Sequence, residues 1–392
     1  MKIAIDAQPV IDSQKTGIGF YEYNIISWML KRWKEHEYIF NCFKFHRLSE
    51  AETALREFTE SGGKSNICTL LPCSLYRLMS NLAPVPYSVF FGKDADISLF
   101  FNFIAPPGAA GRSIIVIHDM CYLAFPETVR FRTKAMLDLS LKASVRRASA
   151  IITDSEFSKS EIVKYMGVDP DRVTVAHCGV DTRVFYPAEA DRLDRAKKKY
   201  GIPDTYLLYA GTLEPRKNIE RLIEAYAGLL IEEPSAPSLV LTGRKGWLYD
   251  SIFEKVRTHG LEERIIFTGY IDGADMPALL SGTLVFLFPS LYEGFGMPPL
   301  EAMACGAPVL TSTAASLPEV VGDAAVMVDP YDTKAIKEGM KRLINDPALR
   351  RDLSAKGPER AKKFSWERSA GIIMGVCEET RARNPSPRGG GL

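Results

Sequence analysis

The feature that most constrains this chain is an alternation. Short, uninterrupted apolar runs are followed by longer stretches whose apolar residues recur at helical spacing. The short runs are read as strands at Lys2–Ala7, Tyr38–Phe43, Asn66–Leu71, Ile97–Asn102, Ser113–Asp119, Ala150–Asp154 and Arg172–His177. A second set follows at Tyr206–Gly211, Ser238–Gly243, Arg264–Tyr270, Leu284–Ser290, Ala307–Ser312 and Ala325–Asp329. Most lack polar alternation, as strands covered on both faces should. Between them lie patterns such as Ile219, Leu222, Ile223, Tyr226 and Leu230, which give a helix one apolar face. Two such blocks predict an α/β protein with two doubly wound parallel sheets. At 392 residues the chain is also too long for one ordinary core. The polar stretch 186–199 is read as the linker region, which places the domains at 1–187 and 188–368. The tail 384–392, with no core-forming residue before its last, is read as disordered.

Charge and cysteine usage exclude several classes. A formal net charge of +1 gives no global field to attract nucleic acid. No apolar run reaches the roughly 18 residues of a membrane span, and MKIAIDA opens directly on a strand pattern without a leader. The seven cysteines are scattered and contain no C-x-x-C, which suits buried thiols in a reducing cytosol rather than a disulfide or zinc framework. The expected location is cytoplasmic, with peripheral contact at a membrane left open.

Ligands of open α/β sheets bind beyond the carboxyl ends of the strands, where helix N-termini point. The unusual residues gather there: Thr16-Gly-Ile-Gly19, His118-Asp119, Gly211-Thr-Leu-Glu-Pro-Arg-Lys-Asn218, Gly243-Arg-Lys-Gly-Trp247 and Gly269-Tyr270. After the run ending at Phe288 come Glu293 and Glu301, separated by Gly294, Phe295, Gly296, Met297, Pro298, Pro299 and Leu300. The glycines let backbone approach a ligand, and the prolines suit the first turn of a helix. Glu301 then falls in that first turn, either as a capping acid or as an acceptor for ribose hydroxyls. Glu293 could accept from sugar hydroxyls, and the amides around Met297 and Leu300 could face a phosphate. Arg216 and Lys217 precede Asn218, a candidate N-cap. Cations there oppose the helix dipole, so a bound anion would explain them.

Other signals have an ordinary structural reading beside the functional one. His118 is either a hydrogen-bonded structural histidine or a site residue, and Asp119 either fixes its tautomer or caps a turn. Asp94-Ala-Asp96 and Asp169-Pro-Asp171 read as turns rather than as a metal–diphosphate site. Ser158-x-x-Glu161 reads as a capping box. The stretch 130–147 carries Arg130, Arg132, Lys134, Lys142, Arg146 and Arg147 among apolar residues. It reads as a helix with one solvated face or as a contact for an anionic membrane or lipid-diphosphate acceptor.

Taken in order, these motifs resemble the retaining glycosyltransferases of family 4. The resemblance rests on the segments at 211–219, 243–247, 267–270 and 288–296, with Leu300-Glu-Ala-Met-Ala-Cys-Gly-Ala-Pro-Val309 and Ser316–Ala325. It is thinner in the first half, at the glycine loop, Ile117-His-Asp-Met120 with Phe125-Pro-Glu127, and Thr153-Asp-Ser-Glu156. It implies the GT-B architecture, two Rossmann-like domains facing a deep cleft. A closing segment near Phe364-Ser-Trp366 would return a last helix, about 369–383, to the first, acceptor-binding domain. Glu293 and Glu301 match the family's E-x7-E pair, contacting the transferred sugar and the ribose. Arg216 and Lys217 match its diphosphate-binding cations, with His118 beside the sugar, Gly19 near the diphosphate and Tyr270 near the base. Gly211, Gly243 and the segment Gly294–Pro298 with Leu300 complete the implied donor site. Thr212 departs from members that carry another arginine there, which leaves Arg216 and Lys217 as the main charge on the leaving group. No metal or other cofactor is implied. The partners are a nucleotide-sugar donor and a glycan or lipid-linked acceptor. The variant is most similar to mannosyltransferases of surface-polysaccharide synthesis, which leans the donor to GDP-mannose. A nucleotide-sugar 2-epimerase and a non-catalytic nucleotide-sugar-binding subunit are the alternatives.

Overall fold

The structure, a computed structural model, describes residues 1–12, 17–83, 85–247 and 249–383. Thr16 of the glycine loop and the tail 384–392 lie outside the described residues. Two compact units are present. The first holds residues 1–123, 131–178 and the chain from Trp366 onward; the second holds 124–130 and 179–365.

The first unit contains a parallel sheet of seven strands, β1 (Lys2–Asp6), β2 (Glu37–Phe43), β3 (Lys64–Cys68), β4 (Ile97–Phe100), β5 (Arg112–Val116), β6 (Ala150–Thr153) and β7 (Val173–Val175), in the order β3-β2-β1-β4-β5-β6-β7. The second contains six, β8 (Tyr206–Ala210), β9 (Ser238–Thr242), β10 (Ile265–Gly269), β11 (Val285–Phe288), β12 (Val309–Ser312) and β13 (Val326–Val328), in the order β10-β9-β8-β11-β12-β13. Each expected run holds a strand, and the fully buried β8, β11 and β12 show why these runs do not alternate. Most strands end before the apolar run does, because the run continues into a buried loop: His118 and Ser290 are buried but lie outside their strands. β3 is displaced toward the N-terminus of its expected run. Strand order reverses between β1 and β4 and between β8 and β11, and the loops beyond those strands are where such sheets bind ligands.

The division falls after Cys178 rather than after 187. The stretch expected as a linker contains a helix, Ala190–Tyr200, which belongs to the second unit. Its charges concealed a helix built from local pairs. Arg195 bonds Asp191 one turn back at 2.7 Å, Ala196 is buried, Lys197–Lys199 complement the dipole, and Gly201 ends the helix at φ 66°. The last helix, Trp366–Ala382, packs against the helix Gly17–Arg32 in the first unit, with the Trp366 and Tyr21 rings edge to face at 5.6 Å.

Candidate active site

In the second unit, the loops after β8 and β11 are stitched together by backbone as well as side chains. Past β8, a single 3-10 turn, Pro215–Lys217, leads to Asn218. There the backbone is left-handed, at φ 62°, before the helix Ile219–Glu232 begins. Asn218 does not cap that helix with its side chain. Its amide instead donates to Pro289 O at 3.0 Å and Pro330 O at 2.7 Å, while its oxygen accepts from Arg221. Leu291 N donates to Arg216 O at 2.9 Å, and Arg216 Nη1 donates to Tyr292 O at 2.8 Å. The strained asparagine is therefore held by the loop it supports.

This stitching brings four charges together. Lys217 Nζ lies 2.6 Å from Glu293 Oε1, and Arg216 Nη1 lies 2.9 Å from Glu293 Oε2. The Arg216 fork also closes on Glu214 Oε1, from Nε at 3.1 Å and Nη2 at 2.7 Å. Lys217, Glu214 and Glu293 are buried. Burial by itself would raise the Glu293 carboxyl, but Arg216 and Lys217 outweigh it and hold the group below its ordinary range. The Ser316 hydroxyl sits within reach of the Glu293 and Phe295 carbonyl oxygens, at 2.9 and 2.6 Å, and fixes the segment between them. Two cations meet two carboxylates, so the cluster is charge-balanced. The missed member is Glu214, which stands two residues before Arg216 inside the quoted motif.

Glu301 behaves differently. Gly296, at φ 115°, is the N-cap of the helix Met297–Ala304, and an added Cβ there would meet Leu317 Cδ2 at 2.7 Å. Glu301 therefore lies beyond the first turn and cannot be the capping acid. Its carboxylate makes no hydrogen bond or ion pair among the described residues, and desolvation pushes it up to about 8. A pair of hydroxyl donors would satisfy it. Leu300 N already reaches Gly296 O, at 3.4 Å, and Pro298 and Pro299 have no amide hydrogen. The Phe295 ring packs edge-on against Phe364 at 5.5 Å, which leaves its backbone, not its ring, toward a ligand.

Of the other expected donor residues in this unit, Gly211, Gly243 and Tyr270 directly follow the adjacent strands β8, β9 and β10. Gly243, at φ 141°, has its Cα against Gly211, and an added Cβ would stand 1.9 Å from Gly211 O. The requirement for glycine there is thus met by internal packing. Tyr270 is exposed, with the Arg244 guanidinium 4.7 Å from its ring centroid. A cavity of about 250 Å³ lined by Glu214, Pro215, Asn218, Arg221 and Leu291 adjoins the charged cluster.

In the first unit, His118 is 7% exposed and both its ring nitrogens are engaged. Nε2 lies 2.8 Å from Phe101 O, which can only accept, and Nδ1 lies 2.7 Å from Asp154 Oδ2. Burial lowers the imidazole, but Asp154 more than offsets it and raises the group above its ordinary value. The tautomer partner is Asp154, not Asp119. Asp119 Oδ1 accepts from Cys121 N at 2.9 Å and caps that turn. Asp154 was signalled only by the motif Thr153-Asp-Ser-Glu156. The expected capping box is displaced as well. Ser155 is the N-cap of the helix Glu156–Met166 and accepts from Ser158 N, while the Ser158 hydroxyl donates to His118 O at 3.1 Å. Gly19 lies within the first turn of the helix Gly17–Arg32 rather than in a loop. Asp169 Oδ1 accepts from Asp171 N, as a turn requires, and Asp94 pairs with Lys2.

The chain aligns with the O-antigen chain mannosyltransferase B of Escherichia coli at 36% identity over 261 residues, 67% of this chain and 68% of that protein. The pattern of the glycosyl transferases group 1 matches residues 192–360, and that of glycosyltransferase family 4 matches 76–184. The chain belongs to glycosyltransferase family 4. This glycosyltransferase is also 34% identical over 304 residues to the serotype-specific mannosyltransferase WbdA of Escherichia coli, of which it spans 37%. Its fold is that of sucrose-phosphate synthase from Thermosynechococcus elongatus, at TM-score 0.73, 20% identity and coverage of 97% of this chain and 98% of that one. The Anabaena protein HepE, solved in complex with UDP and glucose, matches at TM-score 0.73 and 19% identity over 97% of this chain and 99% of its own. The two Rossmann-like sheets of the glycosyltransferase are thus those of the GT-B fold.

Proposed function

We propose that this glycosyltransferase moves mannose from GDP-mannose, with retention, to a glycan or lipid-linked acceptor in cell-surface polysaccharide synthesis. The observation that carries the reading is the cluster at Glu293, where Arg216 and Lys217 are held at one carboxylate while Glu301 lies unpaired nearby on the next helix. The mannosyltransferase relatives in Escherichia coli support the choice of sugar.

Departure of a nucleoside diphosphate develops negative charge on its β-phosphate, and Arg216 and Lys217 are the cations available to stabilise it. Before donor binds, Glu214 and Glu293 occupy them, so the donor phosphates share the cations with these carboxylates, and the Glu293 oxygens keep lone pairs to accept from sugar hydroxyls while still paired. Glu301 would take the ribose hydroxyls. Glu293 is a poor candidate for a covalent nucleophile, because two cations hold its charge. Attack on the departing face by the acceptor hydroxyl, whose proton passes to the oxygen of the leaving diphosphate as the sugar–phosphate bond breaks, accounts for retention without that intermediate. His118, through its neighbourhood rather than a free ring nitrogen, would border the sugar. No resident metal is required, since side-chain cations supply the charge; activity in excess EDTA equal to the untreated rate is expected.

Isothermal titration with GDP, UDP, ADP and their sugar conjugates tests the reading. Tight GDP-mannose binding is expected. Preference for a UDP-sugar would overturn the mannose assignment, and no binding by folded protein would leave a non-catalytic role.

A further inference from the structure

We propose that the strap Ala124–Arg130 sets the Arg216 guanidinium for transfer, with Phe125 and Trp247 as its positioning residues. The inference rests on the donor reading, in which Arg216 meets the leaving phosphate. Residues 124–130 interrupt the first unit in sequence but belong to the second. They hold a short 3-10 turn, Pro126–Thr128, closed by the Thr128 amide and hydroxyl, which donate to Phe125 O at 3.0 and 2.8 Å. The turn is fastened at both ends. The Phe125 ring packs on the Tyr292 ring, centroids 5.4 Å apart, in the loop after β11. In the loop after β9, Trp247 Nε1 donates to Thr128 O at 2.7 Å, and the Arg130 guanidinium stands 5.1 Å from the Trp247 ring centroid. β8 lies between β9 and β11. The strap therefore ties together the loops on either side of the one that carries Arg216.

Both ties lead to that arginine. Tyr292 is buried, and its carbonyl accepts from Arg216 Nη1 at 2.8 Å, while Leu291 N donates to Arg216 O at 2.9 Å. On the other side, Gly246 N donates to Leu213 O at 3.0 Å and Leu213 N to Arg244 O at 2.9 Å, which seats the segment bearing Trp247 against the β8 loop. Gly246 leaves no room for a side chain there, since an added Cβ would lie 2.6 Å from Leu213 O. The guanidinium also bonds the carboxylates of Glu214 and Glu293. Those are the bonds that arriving phosphates must share. The Tyr292 carbonyl is a neutral acceptor, and it keeps its N–H while phosphates and carboxylates divide the rest. Where Tyr292 stands thus decides where the charge stands, and the Phe125 ring braces it. Pro126, Glu127 and Arg130 are exposed, so the strap buries little of its own. Its role lies in what it fixes.

Steady-state transfer, with whichever nucleotide-sugar the titration selects, and pH-dependent denaturant melts together test this. Phe125→Ala should lower kcat by roughly tenfold to a hundredfold with little change in the KM for donor. Phe125→Tyr keeps the ring and should restore the rate. Trp247→Phe loses the indole N–H but not the aromatic face, and should lower kcat by roughly fivefold. In an Arg216→Lys background, Phe125→Ala should reduce kcat no further, because the fork it acts through is gone. A second readout needs no donor. Arg216 and Lys217 are the cations that hold the Glu293 carboxyl below its ordinary range. Loosening Arg216 removes stability that is present above the unfolded value of 4.5 and absent once Glu293 protonates. The destabilisation by Phe125→Ala should therefore be largest near neutral pH and shrink in acid, whereas lost packing alone is independent of pH. Transfer by Phe125→Ala at the parent rate, an equal further loss in the Arg216→Lys background, or a pH-independent destabilisation would each overturn the proposal. If no nucleotide-sugar binds, the donor reading fails, and the melts still decide whether the strap holds Arg216.

Discussion

The carboxyl ends of the two sheets handle buried charge in opposite ways. In the second unit, Glu293 is buried and satisfied, with a cation on each oxygen. In the first, Glu22 is fully buried on the helix Gly17–Arg32, and neither oxygen has a hydrogen-bond partner among the described residues. Its neighbours add to the imbalance. Asp6, at the end of β1, is pushed by burial up to about 6, and Asn41 Oδ1, opposite Asp6 in the register of β1 and β2, is also unpartnered. Burial followed by the Asp6 charge raises Glu22 well above its ordinary value. A paired carboxylate is held ionised and organises its loops. An unpaired one is held neutral and costs stability.

The comparison can be broken in order of expected effect. Lys217→Ala should reduce transfer by on the order of 10²–10³ if its ammonium stabilises the leaving group, with the melting profile largely kept because Arg216 still pairs Glu293. Transfer near the parent rate would remove that role. Gly243→Ala should destabilise by about 3–4 kcal/mol, since its Cβ meets backbone at 1.9 Å and its φ is 141°. Denaturant melts would show this, and an unchanged midpoint would mean that the β8 and β9 ends separate freely. Glu22→Met should be stabilising by about 1–2 kcal/mol near pH 8, because it removes an unsatisfied buried carboxyl.

The pH dependence separates the two sheet ends by sign. Glu293 has a lowered folded value, so its contribution is present above the unfolded value of 4.5 and lost as pH falls through the folded one. Glu22 and Asp6 have raised values, so their contributions are present in acid and lost as pH rises, for Asp6 through about 6. Glu22→Met should flatten the alkaline side of the stability profile and leave the acid side alone. An unchanged alkaline slope would show that Glu22 has found a partner. The smallest effect concerns Glu301, raised to about 8. Diol donors favour its ionised form, so donor binding near pH 7 should release protons, and affinity should fall as pH drops below about 8. Calorimetry in buffers of different ionisation enthalpy would measure this. Glu301→Gln should abolish the component.

Much of this was legible in the chain. Buried parallel strands need unbroken apolar runs, so each sheet could be read strand by strand, and the loops beyond them followed from topology. Arg216 and Lys217 stood out because cations oppose the dipole of the helix that follows, although Glu214, the partner of Arg216 only two residues away, went unread. The helix Ala190–Tyr200 was misread because charged residues that satisfy one another locally look like a linker when only composition is weighed.

Partnership was another matter. That Arg216 is shared by Glu214 and Glu293, that His118 answers to Asp154 and Phe101, and that Glu22 answers to nothing described depends on residues 17 to 77 positions apart in all but one of these contacts. The sequence by itself determined the strands, the two sheets and the chemical types gathered at their ends, since periodicity and local backbone preference are written along the chain. The tertiary structure alone decided which charges are paired and which are stranded. Desolvation and hydrogen bonding act through distances that only folding sets.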